Sequence, residues 1–322
     1  MQQRKARQIS HLTVRQFYEK YSKYLGMELI CCEEGLERKI SEPTVNRPGL
    51  ALAGFFTYFA NRRVQVLGNS EMSYLKSLPP DLRQQRFAAL CESRIPCLVL
   101  SRGARLEAPL LNLASANGLS VLTTPMVTMK FINKATLRLE WEFAPVSTEH
   151  GCMVDVRGIG VLVRGDSGTG KSEAALGLVE RGASLVADDL VQLRLVGTEL
   201  SGTAPSVGRG LIEVRGLGIM NVVSLFGAAA LRTEKRLDVV VTLRPSSSLN
   251  EVDRLGAKRQ EVEILGVNLP HVELPVAPGR DMAMLIEVAA LDQKLRSFGY
   301  DVAEEFNRRL MEAMDKQQGV IS

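Results

Sequence analysis

The chain has 322 residues, of which 45% are hydrophobic and 24% are charged, and its formal net charge is +4. This length is sufficient for two domains, and the composition is ordinary for a soluble globular protein. The charge is too small, and basic and aromatic residues too little interleaved, to indicate a nucleic-acid partner. The most apolar run, LALAGFFTYFA at residues 50–60, is too short to span a bilayer, so we expect no membrane segment.

The five cysteines form no CxxC or metal-type pattern. We therefore expect reduced, mostly buried thiols and a cytoplasmic protein. The basic stretch RKAR at residues 4–7 has no apolar region beside it, so we do not interpret it as a secretory signal.

The first half of the chain predicts helices that alternate with strands. VRQFYEKYSKYLG predicts an amphipathic helix, with Val14, Phe17, Tyr18, Tyr21 and Leu25 on one face. Strand-like runs (RVQVLG, IPCLVL, SVLTT) then alternate with helical runs (SEMSYLKSL, APLLNLASANG, and residues 126–143). This pattern indicates an α/β domain with a largely parallel sheet. Because Pro145 disfavours continuation of the last helix, we predict domains at 1–144 and 145–322.

The second half is strand-rich from Gly151 to Leu274 and helical after Arg280. It contains a glycine-rich run, GDSGTGKS, between the apolar strand GVLVR and the helix KSEAALGLVERG. Glycines let the backbone turn its N–H groups inward, and the helix N-terminus adds the positive end of a dipole. In such a loop Lys171 reaches the β and γ phosphates and the Ser172 hydroxyl ligates Mg²⁺. A chance glycine-rich turn is the alternative, but the flanking elements favour a nucleotide site. Its residues are Gly165, Asp166, Ser167, Gly168, Thr169, Gly170, Lys171 and Ser172.

Downstream, the apolar run LVA leads into the acidic pair Asp188 and Asp189. At a strand end, these carboxylates could hold Mg²⁺ or accept the proton of an attacking hydroxyl during phosphoryl transfer. A solvated turn is the alternative, since aspartate is common in turns.

Two further polar residues have roles that the residues alone leave open. His150, at the head of the strand CMVDV, is one of three histidines, and a lone histidine is usually structural or exposed. Glu213 stands between Ile212 and Val214 in an otherwise apolar strand. Either it needs a metal or a cation nearby, or it faces water at the edge of its strand.

Taken together, these motifs resemble the bacterial HPr kinase/phosphorylases, which phosphorylate a serine of the phosphocarrier protein HPr and also remove that phosphate. The matching runs are, in chain order, GLERKISEPTVNRPGLALAGFF, RVQVLGNSEMSYL, His150-Gly151, GVLVRGDSGTGKSE, Ala187-Asp188-Asp189, LIEVRGLGIMNVVSLFG, EVDRLG and PVAPGRD. The similarity therefore covers nearly the whole chain.

The resemblance implies an amino-terminal α/β domain for assembly or regulation and a carboxy-terminal kinase domain of the HPr kinase type. It implies that Gly165–Ser172 hold ATP, or pyrophosphate, as the phosphoryl donor, and that Ser172 and Glu213 bind Mg²⁺. Asp189 would act as the base in the kinase direction and as the acid in the reverse direction, with Asp188 the less favoured of the pair. The residues that match the family's catalytic set are His150, Lys171, Asp189 and Arg254.

The resemblance also implies HPr as the protein substrate, a hexameric homo-oligomer, and regulation of carbohydrate metabolism through the phosphotransferase system. Two other functions remain open at this point: a P-loop kinase of a small-molecule acceptor, and a non-enzymatic nucleotide-responsive regulator. Asp189 and Arg254 argue against the regulator, because a sensor needs no base opposite the γ-phosphate. The runs EVRGLGI and DRLG favour HPr over a small acceptor.

One loop departs from the family pattern. PVAPGRD has Ala277 where the family commonly has an arginine and Asp281 where it has an asparagine, while Arg280 is kept. In the family this loop is associated with dephosphorylation. One cation fewer and one anion more should weaken the binding of inorganic phosphate. We therefore expect kinase activity with weak phosphate-dependent dephosphorylation.

Overall fold

The computed structural model describes residues 7–245 and 260–301, and residues 305, 308, 309 and 311. The chain forms two compact units, Gln8–Ala144 and Pro145–Ser322, the latter taking in Met1–Arg7. The predicted division differs from these units at Arg7, which it assigned to the first domain. Arg7 instead exchanges two backbone hydrogen bonds of 2.9 Å with Val146, and this pairing ties it to the carboxy-terminal unit.

The amino-terminal unit is the expected α/β domain. Its helices are α1 (Val14–Leu25), α2 (Gly49–Leu52), α3 (Asn69–Ser77), α4 (Pro80–Glu92), α5 (Ala108–Ala116) and α6 (Thr128–Phe143). Its strands are β1 (Leu12–Thr13), β2 (Glu28–Cys31), β3 (Lys39–Ile40), β4 (Val45–Asn46), β5 (Val64–Leu67), β6 (Cys97–Leu100) and β7 (Ser120–Thr123). The main sheet has the order β2-β7-β6-β5-β4, in which only the β2–β7 pair is antiparallel. The prediction of a largely parallel sheet is confirmed.

Helix α1 shows how local sequence sets an element of this unit. Thr13 Oγ1 accepts the Gln16 N–H, and the Gln16 side chain accepts the Thr13 N–H, so two backbone donors at the helix start are satisfied. Gly26 ends the helix in the left-handed conformation, with φ of 59°. The buried face carries Val14, Phe17, Tyr21 and Leu25. The predicted amphipathic face is confirmed at these four positions.

The carboxy-terminal unit is built mainly of strands. Its helices are α7 (Lys171–Glu180), α8 (Val222–Phe226) and α9 (Met282–Ser297). Its strands are β8 (Val146–His150), β9 (Cys152–Val156), β10 (Ile159–Gly165), β11 (Ser184–Ala187), β12 (Leu190–Val196), β13 (Glu199–Thr203), β14 (Leu211–Val214), β15 (Gly218–Asn221), β16 (Lys235–Arg236), β17 (Val239–Pro245), β18 (Gln260–Ile264) and β19 (Val267–Val276). No helix in the described part of the chain combines the length and apolar character needed to cross a bilayer.

Two sheets and a hairpin organise this unit. A six-stranded sheet has the order β11-β9-β10-β17-β19-β18, with β10, β17 and β19 mutually parallel at its centre. An antiparallel sheet has the order β16-β13-β12-β8, and β14 pairs with β15 alone. Val161 and Val163 of β10 belong to the same buried cluster as α7, whereas Leu162 belongs to the cluster on the opposite face. Burial on both faces explains why β10 is a continuous apolar run, and it fixes the start of the glycine-rich loop at the carboxyl end of a central strand.

Candidate active site

The glycine-rich loop joins β10 to α7, as the sequence predicts. Gly168 and Gly170 have φ values of 86° and 82°, a left-handed conformation that glycine adopts without a Cβ penalty. Helix α7 begins at Lys171, directly after Gly170. The loop therefore leads into the amino-terminal turn of a helix, where anions bind favourably.

Lys171 is folded over its own loop. The residue is only 8% exposed, and its Nζ donates to the carbonyl oxygens of Gly165 and Asp166, each at 3.0 Å. These carbonyls compensate a charge that burial would otherwise penalise. The ammonium group is thus held at the loop, where a phosphoryl group would meet it.

Asp188 is a point of convergence for three donors. The Ser172 hydroxyl donates to its two carboxylate oxygens at 3.0 and 3.3 Å, and the Glu213 backbone N–H donates to Oδ2 at 3.0 Å. The Cys152 thiol donates to Oδ1 at 2.6 Å. An aspartate bonded to the serine that ends a phosphate-binding loop has the arrangement in which such sites hold Mg²⁺.

Cys152 had no assigned role from the sequence, where nothing distinguishes it from a buried strand residue. It is fully buried in β9, and burial together with the Asp188 charge raises the pKa of its thiol far above the ordinary range. The sulfur therefore stays protonated and acts as a hydrogen-bond donor to Asp188. A buried, protonated cysteine of this kind is unreactive.

Asp189 points elsewhere, although it is the next residue. Its φ is 63°, which is unusual for a residue other than glycine. The residues on either side of Asp189 are joined by a hydrogen bond of 2.8 Å from the Leu190 N–H to the Asp188 carbonyl, as in a γ-turn. Its side chain is 68% exposed and lies 3.0 Å from His150 Nδ1. The strained turn separates the two carboxylates, so that Asp188 contacts Ser172 while Asp189 contacts His150.

The exposure of Glu213 agrees with one of the two alternatives that the sequence left open, a strand position that faces water. Alternation along β14 buries Ile212 and Val214 and leaves Glu213 exposed, so no burial cost demands a partner for its carboxylate. The same alternation brings Arg215 to the face of Glu213. Arg215 was missed by the sequence analysis, although its spacing two residues beyond Glu213 was a usable signal.

These groups line one cleft of about 150 Å³. Its lining residues are His150, Cys152, Ser167, Gly168, Gly170, Lys171, Ser172, Glu173, Asp188, Asp189, Glu213 and Arg215. Among the described lining residues there are four carboxylates (Glu173, Asp188, Asp189, Glu213) against two permanent cations (Lys171, Arg215). In the part of the chain that the structure describes, no group of three or more His, Cys, Asp or Glu side chains could hold a metal alone.

Two other residues that the sequence analysis singled out are Arg254 and Asp281. Arg254 lies outside the described residues. Asp281 caps α9 by accepting the Met284 N–H at 2.9 Å, and it also pairs with Arg181. These contacts lower the pKa of Asp281, and the Arg181 partner offsets the charge that the sequence analysis counted as uncompensated.

A larger cavity of about 530 Å³ lies in the amino-terminal unit. Its lining residues are Glu28, Ile30, Gly103, Ala104, Arg105, Leu106, Leu111, Thr123 and Pro125. This lining has one acid and one base among mostly apolar residues, without a phosphate-binding loop. The smaller cleft at Lys171 is therefore the candidate site for phosphoryl transfer.

The fold and this cleft define a P-loop phosphotransferase. Residues 12–139 match the family model "HPr Serine kinase N terminus", and residues 141–310 match "HPr Serine kinase C-terminal domain". The chain therefore belongs to the HPr serine kinase family, as the sequence motifs indicated, and it is an enzyme of the kinase/phosphorylase type.

Two relatives illustrate the similarity. The HPr kinase/phosphorylase of Bacillus licheniformis is 41% identical over 290 residues, which is 90% of this chain and 94% of the relative. That of Bacillus subtilis is 41% identical over 291 residues, with the same two shares. A solved structure of the Hpr(Ser) kinase/phosphatase from Coxiella burnetii is 34% identical, covers 50% of this chain and 98% of its own, and gives a TM-score of 0.46.

Proposed function

We propose that this enzyme transfers a phosphoryl group from ATP, or from pyrophosphate, to a serine of HPr, and removes it again with inorganic phosphate as acceptor. The observation that carries the proposal is that the two adjacent aspartates of the cleft have different partners. Asp188 is bonded to Ser172 of the phosphate-binding loop, while its neighbour Asp189 is exposed beside His150. One carboxylate is thus arranged for a metal–nucleotide and the other for an incoming hydroxyl. The likeness to proteins named HPr kinase/phosphorylase supports HPr as that acceptor.

The donor would be held by Gly165–Ser172, with Lys171 offsetting the charge on the transferring group. Four carboxylates against two permanent cations leave the described lining net negative, so a polyphosphate needs a divalent cation to enter. Mg²⁺ binds through one or two carboxylates together with substrate phosphates, which suits a cleft without an all-protein cage. We assign Ser172 and Glu213 as its ligands and add Asp188, whose carboxylate already accepts the Ser172 hydroxyl.

When bound, the cation would neutralise charge that develops on the phosphate oxygens. The serine hydroxyl of HPr would attack the terminal phosphorus and release ADP, while its proton passes to the Asp189 carboxylate. In the reverse direction, an oxygen of inorganic phosphate would attack the phosphorus of phosphoserine and form pyrophosphate, while the serine oxygen would leave and take the proton of protonated Asp189. His150, with Nδ1 3.0 Å from Asp189, would orient that carboxylate and stabilise its charge.

Arg254 is proposed as a catalytic residue from its place in the family motif DRLG. We further propose two domains divided between residues 144 and 145, with regulation or assembly in the first and chemistry in the second, and a cytoplasmic hexamer; Arg7, which pairs with Val146, belongs with the second. Met284, Val288 and Leu295 on α9 are exposed apolar residues, which is compatible with a subunit contact through this helix.

The test is incubation of the purified enzyme with labelled ATP, Mg²⁺ and HPr. We expect label on one serine of HPr, none on HPr with that serine changed to alanine, and none with Lys171→Ala enzyme. Lys130→Ala, at an exposed position of α6, is the matched control and should be fully active. Label on a small molecule from a cell extract, with HPr unlabelled, would instead support the small-acceptor kinase. Nucleotide binding without any transfer would support the non-enzymatic regulator.

A further inference from the structure

The β14–β15 hairpin presents Arg215 to the phosphate-binding loop. Because Ile212 and Val214 are buried against the core that includes α7, the base of the hairpin is fixed, and alternation turns Glu213 and Arg215 to the opposite face. The Glu213 N–H bond to Asp188 fixes the hairpin a second time. Arg215 then begins the turn between the two strands, at the rim of the cleft.

The guanidinium group lies against the loop itself. Arg215 Nη2 donates to Ser167 Oγ at 3.3 Å, and a Cβ built on Gly168 would lie 3.1 Å from Nη1. Gly168 therefore leaves the space that this side chain occupies, in addition to adopting a left-handed backbone. The contact is long and its acceptor is a neutral hydroxyl, so it is a weak restraint on the guanidinium cation.

Arg215 also differs in its partners from three other arginines of the carboxy-terminal unit. Arg164, Arg181 and Arg236 each pair with a carboxylate. Within the described residues, no such ion pair holds Arg215, even though four carboxylates line the same cleft. An exposed guanidinium without a fixed anion, resting on a phosphate-binding loop, is available to an anionic ligand.

We propose that Arg215 is a further catalytic residue, which leaves Ser167 and contacts the transferring phosphoryl group. It would act as an arginine finger supplied by the enzyme's own hairpin. In the transition state, negative charge spreads over the equatorial oxygens of the transferring group, and a planar guanidinium can donate to two of them. Lys171 and Arg215 would then flank this group from the loop and from the hairpin. This inference rests on the proposed function, since it requires a phosphoryl group in the cleft.

The test compares Arg215→Ala and Arg215→Lys with Arg209→Ala. Arg209 is an exposed arginine just before β14 that does not line the cleft, and no ion pair holds it within the described residues. We expect Arg215→Ala to lower kcat for HPr phosphorylation about 10²–10³-fold with a much smaller change in KM for ATP. Arg215→Lys should be intermediate, because lysine keeps the charge but not the planar donor pair. Arg209→Ala should match the wild type.

Two measurements separate this role from a structural one. Free guanidinium should partly restore the activity of Arg215→Ala but not that of Lys171→Ala. Fluoroaluminate with Mg²⁺ should tighten ADP binding to the wild type and to Arg209→Ala, but hardly to Arg215→Ala, since it mimics the transferring group. If the wild type transfers phosphate and Arg215→Ala retains its kcat, the inference is overturned while the proposed function stands. If the wild type neither binds ADP nor transfers phosphate, the proposed function itself fails.

Discussion

The Ser172 hydroxyl donates to Asp188 Oδ1 across 3.0 Å, although sixteen residues separate the two along the chain. This bond links the first turn of α7 to the end of β11. Asp188 therefore contacts the serine of the phosphate-binding loop, whereas its neighbour Asp189 contacts His150. From the sequence, the two aspartates could be distinguished only by the family resemblance.

Asp188→Asn should weaken Mg–nucleotide binding. The family resemblance made Asp188 the less favoured of the two aspartates, but the structure gives Asp188 three donors, and asparagine offers only one acceptor oxygen. We expect about a 10- to 100-fold loss of Mg–ATP affinity, the usual cost of disturbing groups that orient a metal site. Calorimetric titration with and without Mg²⁺ measures it. Unchanged affinity would remove Asp188 from the metal site.

Asp189→Asn should slow transfer strongly while leaving nucleotide binding intact. The amide keeps the size of the carboxylate and a hydrogen bond to His150, but it cannot take the serine proton. We expect kcat to fall about 10²–10⁴-fold with Mg–ATP affinity close to that of the wild type. The measurements are HPr phosphorylation rates and calorimetry on the same preparation. Loss of nucleotide binding would instead identify Asp189 as a metal ligand.

The loop that departs from the family pattern yields a revised prediction. Arg181 offsets the charge of Asp281, and asparagine would cap α9 equally well, so Asp281→Asn alone should change neither direction of the reaction. Ala277→Arg alone should raise phosphate-dependent dephosphorylation by about tenfold through the added cation, and raise phosphorylation less. The dephosphorylation rate of each variant is measured as pyrophosphate release from serine-phosphorylated HPr across a phosphate titration. An equal response of both directions to Ala277→Arg would show that the loop does not set direction.

His271 should make folding stability fall below about pH 6.5. Burial, together with Arg164 and Arg244, lowers the pKa of His271 despite the opposing effect of Glu273, and its Nε2 bonds to Thr242 Oγ1 at 2.8 Å. Between the folded pKa and 6.5, the unfolded chain binds more protons, so stability is lost on acidification and is constant above that range. His271→Gln should flatten this dependence in urea unfolding at pH 5–8. A wild-type profile already flat between pH 5 and 7 would contradict the prediction.

The sequence predicted those features of the fold that depend on local patterns of residues. The face of α1 followed from the spacing of its apolar residues, and the strand–loop–helix order around Gly165–Ser172 followed from glycines placed after an apolar run. The parallel sheet of the amino-terminal unit followed from alternating strands and helices. These features depend on neighbours within a few residues, where periodicity and backbone freedom decide the conformation.

The partners of the cleft depended on contacts that no local pattern encodes. Cys152 donates to Asp188 because β9 and β11 are antiparallel neighbours, and Asp281 meets Arg181 because α7 and α9 belong to one packed core. Glu213 faces solvent because its strand buries only one side, which its apolar neighbours by themselves did not reveal. The spacing of residues in the sequence does not predict any of these three features.

The sequence by itself thus determined the family, the two-part α/β architecture, and the loop that meets phosphate, because these rest on short-range chemistry repeated in a recognisable order. Only the tertiary structure decided which aspartate serves the loop serine, which serves the histidine, and that Arg215 rests on Gly168. The reason is physical. Hydrogen bonds and charge compensation act between side chains a few ångströms apart, and strands distant in sequence come within that range only when the sheet forms.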